Sequence, residues 1–492
     1  MSDRKYLTID DPNFKFLFGG LEGKGIHVAE LDGGFVGTSV LIEGYAGTGK
    51  TILACQLCTH ALNSEAFQGT KGVIYSLDQR PEELGRLICG FGFSIAEHIA
   101  TLEFNKEYVD PQTCGNYRLF VKHVAHKNAN IGALWQEIQN DQRRCKELKI
   151  VVVDTINSLL KLRAATEYAE QFRGLIELSR DANLGGLVLI LTLESVPGDS
   201  MFEEYVPNCV IQLSKGDTPG LRRSLEVKKI RNQQHYIGTH DFDIGEKGIF
   251  VFPSLHARSQ AIRVARTGTD STQASFIPFG YLPIDEVINP GLARGSTTLL
   301  WGAPGTFKTN LSAKFLLAGL AGPAPTTPQS SALFVTFKID SAAFRGFLRK
   351  EVGGMATPTA KNAEARTTII EARDPFELPT SVFTRIMQEV ARSESEVRGI
   401  ERAVVFGLRR LYQLPAYRDS EWPFLEVLVS FLQSHQISTL LVDWPEEPSQ
   451  VAPPMAIDLC ASEIKTGRQG DRVLLDIRRK NYELVGKIVD YG

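Results

Sequence analysis

Gly44, Gly47, Thr48, Gly49, Lys50 and Thr51 belong to the run GYAGTGKT (residues 44–51), which meets the pattern G-x-x-x-x-G-K-[ST] at every fixed position. Its glycines let successive backbone N–H groups point at phosphate oxygens, and the start of a following helix adds its dipole there. The chemistry implied is the binding of a nucleotide polyphosphate. Lys50 would reach the β- and γ-phosphates, and the Thr51 hydroxyl would sit on Mg²⁺. Asp154 ends the apolar run KIVVVDT (residues 149–155) and is the expected second holder of the metal. A second run, GAPGTFKT (residues 302–309), repeats the grammar through Gly305, Thr306, Lys308 and Thr309 but places Phe307 at the last glycine position. Two readings stand for it. Phe307 points away and nucleotide still binds through Lys308 and Thr309, or the loop is a relic kept as architecture.

These loops need strands before them and helices after them, and the sequence supplies both twice. TSVLIEG and STTLLWG precede the loops, and helical patterns follow over residues 52–62 and 310–320. Two further parallels run in the same order. KIVVVDT is matched with STLLVDW (residues 438–444), giving a longer lysine-to-aspartate interval in the second half. LEVKKIRN (residues 225–232) is matched with LLDIRRKN (residues 474–481). A fixed order of repeated landmarks implies a tandem duplication. Apolar runs without alternation at residues 73–77, 151–154 and 187–193 suit parallel strands buried on both faces. Helical patterns at 81–89 and 133–148 alternate with them, which indicates an α/β fold of two tandem P-loop domains, each a mostly parallel sheet flanked by helices. The expected division is a first domain over 1–255, a polar, basic, Ser/Thr-rich linker over 256–275 and a second domain over 276–492. The Pro- and Ser-rich stretch at 322–331 reads as a surface loop, and 353–365 as another surface excursion.

The whole chain agrees with a globular reading. It has 492 residues, enough for two large domains, with 43% hydrophobic and 23% charged residues. The net charge of −3 does not favour general nucleic-acid binding. Residues 1–15 are polar and charged, unlike a secretory leader, and no apolar run approaches the ~20 residues of a membrane helix. Seven scattered cysteines fit a reducing cytoplasm. Cys55 and Cys58 form a CxxC on the expected helix after the first loop, where they read as packed core thiols.

The chain resembles the double-domain KaiC-like branch of the RecA-type P-loop ATPases. The resemblance rests on FGYLPIDEVINPGLARGSTTLLWGAPGT before the second loop, GVIYSLDQRPEELGR after the first, and EEYVPNCVIQL, LEVKKIRNQQH and DIGEKGIFVFP in family order. It implies ATP and Mg²⁺ as cofactors and a homo-oligomeric ring, six-membered in the family, with ATP held between neighbouring subunits. It also implies that Lys229 and Arg231 touch the γ-phosphate bound by the adjacent subunit, with Arg478 and Lys480 as their equivalents in the second half. Without the resemblance these would be exposed strand charges.

Departures from the family pattern shape the functional expectation. Where the family carries adjacent glutamates, one of them the base for the attacking water, the first half has Asp78 and Gln79. A shorter carboxylate beside an amide implies slow turnover. Glu82 and Glu83 read as first-turn helix acids. The second half has Lys338 and Ile339 at that pair, with Asp340 one position late, so it is expected not to hydrolyse ATP. The segment comparable to the family's autophosphorylated pair, residues 449–462, has no hydroxyl from Gln450 to Ala461, so no autokinase function is expected. The leading reading is a regulatory ATPase whose first half binds and slowly hydrolyses ATP to drive ring assembly or docking of an unidentified protein partner. A RecA-type DNA-handling ATPase is one alternative, with residues 258–266 as its basic segment. A pseudo-ATPase scaffold that holds ATP as a structural ligand is the other.

Overall fold

The computed structural model describes residues 5–31, 34–93, 99–103, 117–124, 130–160, 165–180, 186–195, 202–216, 222–266, 275–320, 330–353, 363–396, 399–417, 420–445, 455–469, 472–479 and 489–491. The chain divides into two compact units, Met1–Ala257 and Arg258–Gly492. The expected loops at 322–331 and 353–365 fall mainly outside the described residues, as do residues 446–454 of the segment compared with the autokinase sites, and Lys480.

In the first unit the strand Gly34–Gly44 lies between Leu187–Glu194 and Cys209–Lys215, parallel to both. Beyond Leu187–Glu194 come Leu148–Asp154, Lys71–Ser76, Leu119–His123 and Ile99–Glu103, all parallel. Beyond Cys209–Lys215 the sheet turns antiparallel through Arg223–Ile230, Thr239–Gly245 and Gly248–Phe252. The all-apolar strands are buried because helices cover the sheet. Val151, Val152, Val153, Leu189, Ile190 and Leu191 are at most 1% exposed.

The second unit repeats this order. Thr297–Gly302 lies between Ser438–Asp443 and Ser462–Gln469, with Ile400–Phe406, Ser331–Thr336 and Thr367–Glu371 on one side. Antiparallel Arg472–Arg479 and Val489–Tyr491 follow on the other. Both units are therefore RecA-like α/β domains of one topology.

The register corrects one expected parallel. Ser76 pairs with Asp154 in the first sheet, and Thr336 pairs with Phe406 in the second. The N–H of Leu77 donates to the Asp154 carbonyl at 2.7 Å, and that of Phe337 donates to the Phe406 carbonyl at 2.9 Å. Phe406 is thus the counterpart of Asp154. STLLVDW instead corresponds to the strand Leu187–Glu194, since both are immediate neighbours of the loop strand. Gly44 pairs with Glu194 while Trp301, one residue before Gly302, pairs with Asp443, so Asp443 matches Leu193 and Trp444 matches Glu194. The third parallel is in register: Lys229 reaches Leu41 through Val210, and Arg478 reaches Leu299 through Glu463.

Helix starts follow local chemistry. Asn130 accepts from the Ala133 N–H to cap Ile131–Arg144. Asp340 accepts from the Ala343 N–H at 2.6 Å at the start of Ser341–Gly353. Glu83 accepts from the Arg80 N–H, as a first-turn acid of Pro81–Gly90. The stretch expected as a linker is helical over Leu255–Arg266. Ala257 and Ala261, four residues apart, are buried on one face, a spacing that the surrounding Arg, Ser and Gln dilute in the sequence.

Candidate functional site

The first loop leaves the strand Gly34–Gly44 and enters the helix Lys50–Asn63. Gly44, Gly47 and Gly49 have φ of 152°, 75° and 106°. A Cβ at Gly44 would lie 2.2 Å from the Leu213 carbonyl oxygen, so the neighbouring strand admits only glycine. The Thr48 hydroxyl donates to the Tyr45 carbonyl at 2.8 Å and tightens the turn. Lys50 Nζ donates to the carbonyls of Gly44 (2.8 Å) and Tyr45 (2.7 Å), so the ammonium lies over the loop it serves.

Asp154 is 5% exposed and faces the helix start. Its carboxylate accepts from Thr51 Oγ1 at 3.0 Å and from Thr192 Oγ1 at 2.6 Å. Burial pushes its pKa up, as does the charge of Asp78, while the two hydroxyls and Lys50 pull it down. Burial lowers the Lys50 pKa, opposed by Glu194 and Asp154. Lys50, Thr51, Asp78 and Asp154 are therefore brought to one place. Asp78 and Gln79 follow the strand Lys71–Ser76, held by a bond from the Gln79 N–H to Ser76 Oγ and one from that hydroxyl to the Gln79 carbonyl. A hydroxyl and a buried carboxylate form a hard-oxygen pair suited to Mg²⁺, so the residues fit the expected metal.

Sequence reasoning missed three contributors. Thr192 orients Asp154, Glu194 faces Lys50 electrostatically, and Arg223 donates to the Gly47 carbonyl at 3.0 Å. A threonine and a terminal glutamate in the run LVLILTLE were the available signals.

A groove of about 940 Å³ runs beside the loop helix, lined by Gln56, Thr59, His60, Phe91, Phe93 and Phe250. Gln56 lies six residues beyond Lys50, roughly 9 Å along the helix.

Lys229 and Arg231 are not at this chain's own first loop. Lys229 sits two strands from the loop strand and three residues back from Gly44, about 14 Å away by strand spacings. Its Nζ donates to the Glu204 and Tyr205 carbonyls, and Arg231 donates to Tyr205. Burial, with Arg231 and Arg180 nearby, pushes Lys229 down to about 8.

The second loop keeps the conformation of the first. Gly302 and Gly305 have φ of 145° and 75°, and Phe307 adopts 59° at the place of Gly49 with its side chain exposed. Thr306 donates to the Ala303 carbonyl, and Lys308 Nζ donates to the Gly302 and Ala303 carbonyls at 2.7 and 2.6 Å. Thr309 is partly buried. At the three positions that carry carboxylates beside the first loop, Lys338 stands at Asp78, Phe406 at Asp154 and Trp444 at Glu194, while Asp443, at the place of Leu193, acts electrostatically on Lys308. Asp340 serves the following helix as its cap.

Cys55 and Cys58 are buried in the loop helix, and burial pushes the Cys58 thiol up to about 12. Among the described residues no group of His, Cys, Asp and Glu is arranged for a metal ion, and no helix is long and apolar enough to cross a membrane. Arg258, in the basic segment considered for DNA, is buried.

A family model described as "ATPase: KaiC" matches residues 24–256, nearly the whole first unit. The chain is similar to the KaiC-like RecA-type ATPases. It is 24% identical to the circadian clock oscillator protein KaiC of Rippkaea orientalis, over 58% of this chain and 51% of that protein. It is 27% identical to the circadian clock protein KaiC3 of Synechocystis, over 59% and 55%, and 28% identical to KaiC of Prochlorococcus marinus, over 56% and 52%. The chain spans about half the length of the curated relatives it matches.

Proposed function

We propose that the first unit binds ATP with Mg²⁺ and hydrolyses it slowly, within a cytoplasmic ring of identical chains whose assembly or partner docking follows the nucleotide state. The observation that carries this reading is the Thr51–Asp154 hydrogen bond beside a complete phosphate loop, with the Asp78 charge acting on Asp154. When bound, Mg²⁺ neutralises charge on the β- and γ-phosphate oxygens. Lys50 swings from the Gly44 and Tyr45 carbonyls to the phosphates, and the backbone N–H groups of the loop hold them. The groove beside Gln56 and Phe91 receives the base. The Asp78 carboxylate accepts the proton of the attacking water, and its short side chain beside Gln79 keeps the rate low. Lys229 and Arg231 of a neighbouring chain stabilise the developing charge. The family resemblance and their separation from their own loop support that role. The second unit does not hydrolyse ATP.

Phosphate release by the full chain, run beside Lys50→Ala, tests the proposal. Wild-type release that the variant lacks supports it. If ATP raises the melting temperature and neither protein releases phosphate, ATP is a structural ligand only. Salt-sensitive oligonucleotide binding would instead favour DNA handling.

A further inference from the structure

The second loop has the shape of a phosphate cradle but surroundings of opposite charge. Lys50 faces Asp154 and Glu194, and Asp78 acts on Asp154. One cation among three carboxylates repels a bare triphosphate, and a divalent cation must offset that repulsion. Lys308 instead has Lys338 as a cationic neighbour and Asp443 as its acid. Among the described residues the N–H groups of Arg409 and Trp444 donate to Asp443 Oδ1, each at 2.8 Å. Among the described residues no hydrogen bond joins Asp443 to Thr309.

The remaining acid positions are filled by aromatic rings. Phe406 and Trp444 meet edge to face, with centroids 5.1 Å apart. The Trp444 indole carries both ammonium groups, Lys338 at 3.8 Å from its centroid and Lys308 at 5.0 Å, so the two charges lie within about 9 Å of each other. Lys308 is 4% exposed. Two ammonium groups beside one indole and one engaged carboxylate favour an anion between them.

We propose that the loop Gly302–Thr309 is a polyphosphate site that needs no divalent cation, its ligand the triphosphate of a nucleotide held by Lys308 and Lys338. Lys338 supplies the charge that Mg²⁺ supplies in the first unit. Phe307 takes the left-handed conformation of a glycine, so the loop keeps the backbone shape of the first, and its side chain is exposed. The proposal rests on reading the two loops as a duplicated phosphate site, but not on turnover by the first.

The test uses the full chain carrying Lys50→Ala, which disables the first loop, with labelled ATP in excess EDTA. Equilibrium dialysis is expected to show one ATP bound per chain, displaced by tripolyphosphate. Lys338→Glu is expected to weaken binding at least tenfold, the order of one lost charge-assisted contact. Lys338→Gln, with melting temperatures measured beside it, provides a second variant if the glutamate impairs folding. No binding in EDTA overturns the proposal, as does binding that appears only with Mg²⁺. Binding indifferent to Lys308→Ala and both Lys338 variants, or not displaced by tripolyphosphate, also overturns it. Failure of wild-type phosphate release would count against the first unit's proposed activity alone.

Discussion

The Lys338 ammonium lies 3.8 Å from the centroid of the Trp444 ring, and these two residues stand where the first unit has Asp78 and Glu194. The exchange keeps the loop and inverts its surroundings. A metal-dependent site needs acids to hold the cation, and at the corresponding positions the second unit offers an amine, an indole and the Phe406 ring. One chain thus carries two phosphate loops of one conformation in two electrostatic settings.

Turnover in the first unit should follow the carboxylate at position 78. Asp78→Asn removes the proton acceptor and is expected to lower the rate of phosphate release about 10²-fold or more. ATP binding should change little, because Lys50, Thr51 and Asp154 remain. Asp78→Glu restores the missing methylene and is expected to raise the rate. Single-turnover kinetics with labelled ATP would check this, and equal rates for all three proteins would remove Asp78 from the mechanism.

Lys229 and Arg231 should act on a neighbour. Lys50→Ala and an Arg231→Ala variant are each expected to be inactive alone. Mixed and allowed to exchange subunits, they should regain a fraction of wild-type turnover, since some interfaces then combine an intact loop with an intact arginine. Sedimentation velocity on the same mixtures reports ring formation. A mixture with no more activity than its parts would place both residues outside a shared site.

The first unit also contains a buried ion cluster remote from catalysis. Lys122 and Asp141 are both 0% exposed, and Lys122 Nζ lies 2.6 Å from Asp141 and 3.0 Å from Glu137. The Tyr75 hydroxyl adds a 2.5 Å bond to Asp141. Lys122→Met leaves the carboxylates buried without their cation and is expected to cost about 3–5 kcal/mol. Adding Asp141→Leu should recover much of that loss. Urea unfolding of the two variants would show whether the pair is coupled.

The phosphate loops were legible because each fixed position has a steric or chemical reason. The repeated strand order was legible because parallel strands buried on both faces read as plain apolar runs. The matched aspartate was misread for the same reason. IERAVVF ends in a phenylalanine that nothing in an apolar run distinguishes, so the neighbouring run STLLVDW, with its visible acid, took its place. Only hydrogen-bond register separates adjacent strands of like composition. The roles of Thr192, Glu194 and Arg223 depend on which strand lies beside which, a long-range property that local pattern does not carry.

The pH dependence of the second unit provides a last prediction. Burial, followed by the Lys338 charge, pushes the Lys308 pKa down to about 7 from 10.5, with Asp443 opposing. Burial also lowers Lys338. Between about pH 7 and 10.5 the unfolded chain therefore holds more protons than the folded one, so stability rises with pH across that window. Burial pushes Asp443 up to about 6, against the Arg409, Trp444 and Lys308 contacts. That carboxyl acts in the opposite sense, favouring the folded state at low pH and losing the effect by about pH 6, below the lysine window. Lys308→Met should remove much of the rise above pH 7 while leaving the acid limb in place. Melting temperatures from pH 5 to 10 would show it. A triphosphate in the loop favours the charged lysine, so binding above pH 7 should take up protons, as read by calorimetry in buffers of different ionisation enthalpy. The same slope in wild type and Lys308→Met would mean that the ammonium is not held in the low-dielectric position the loop gives it.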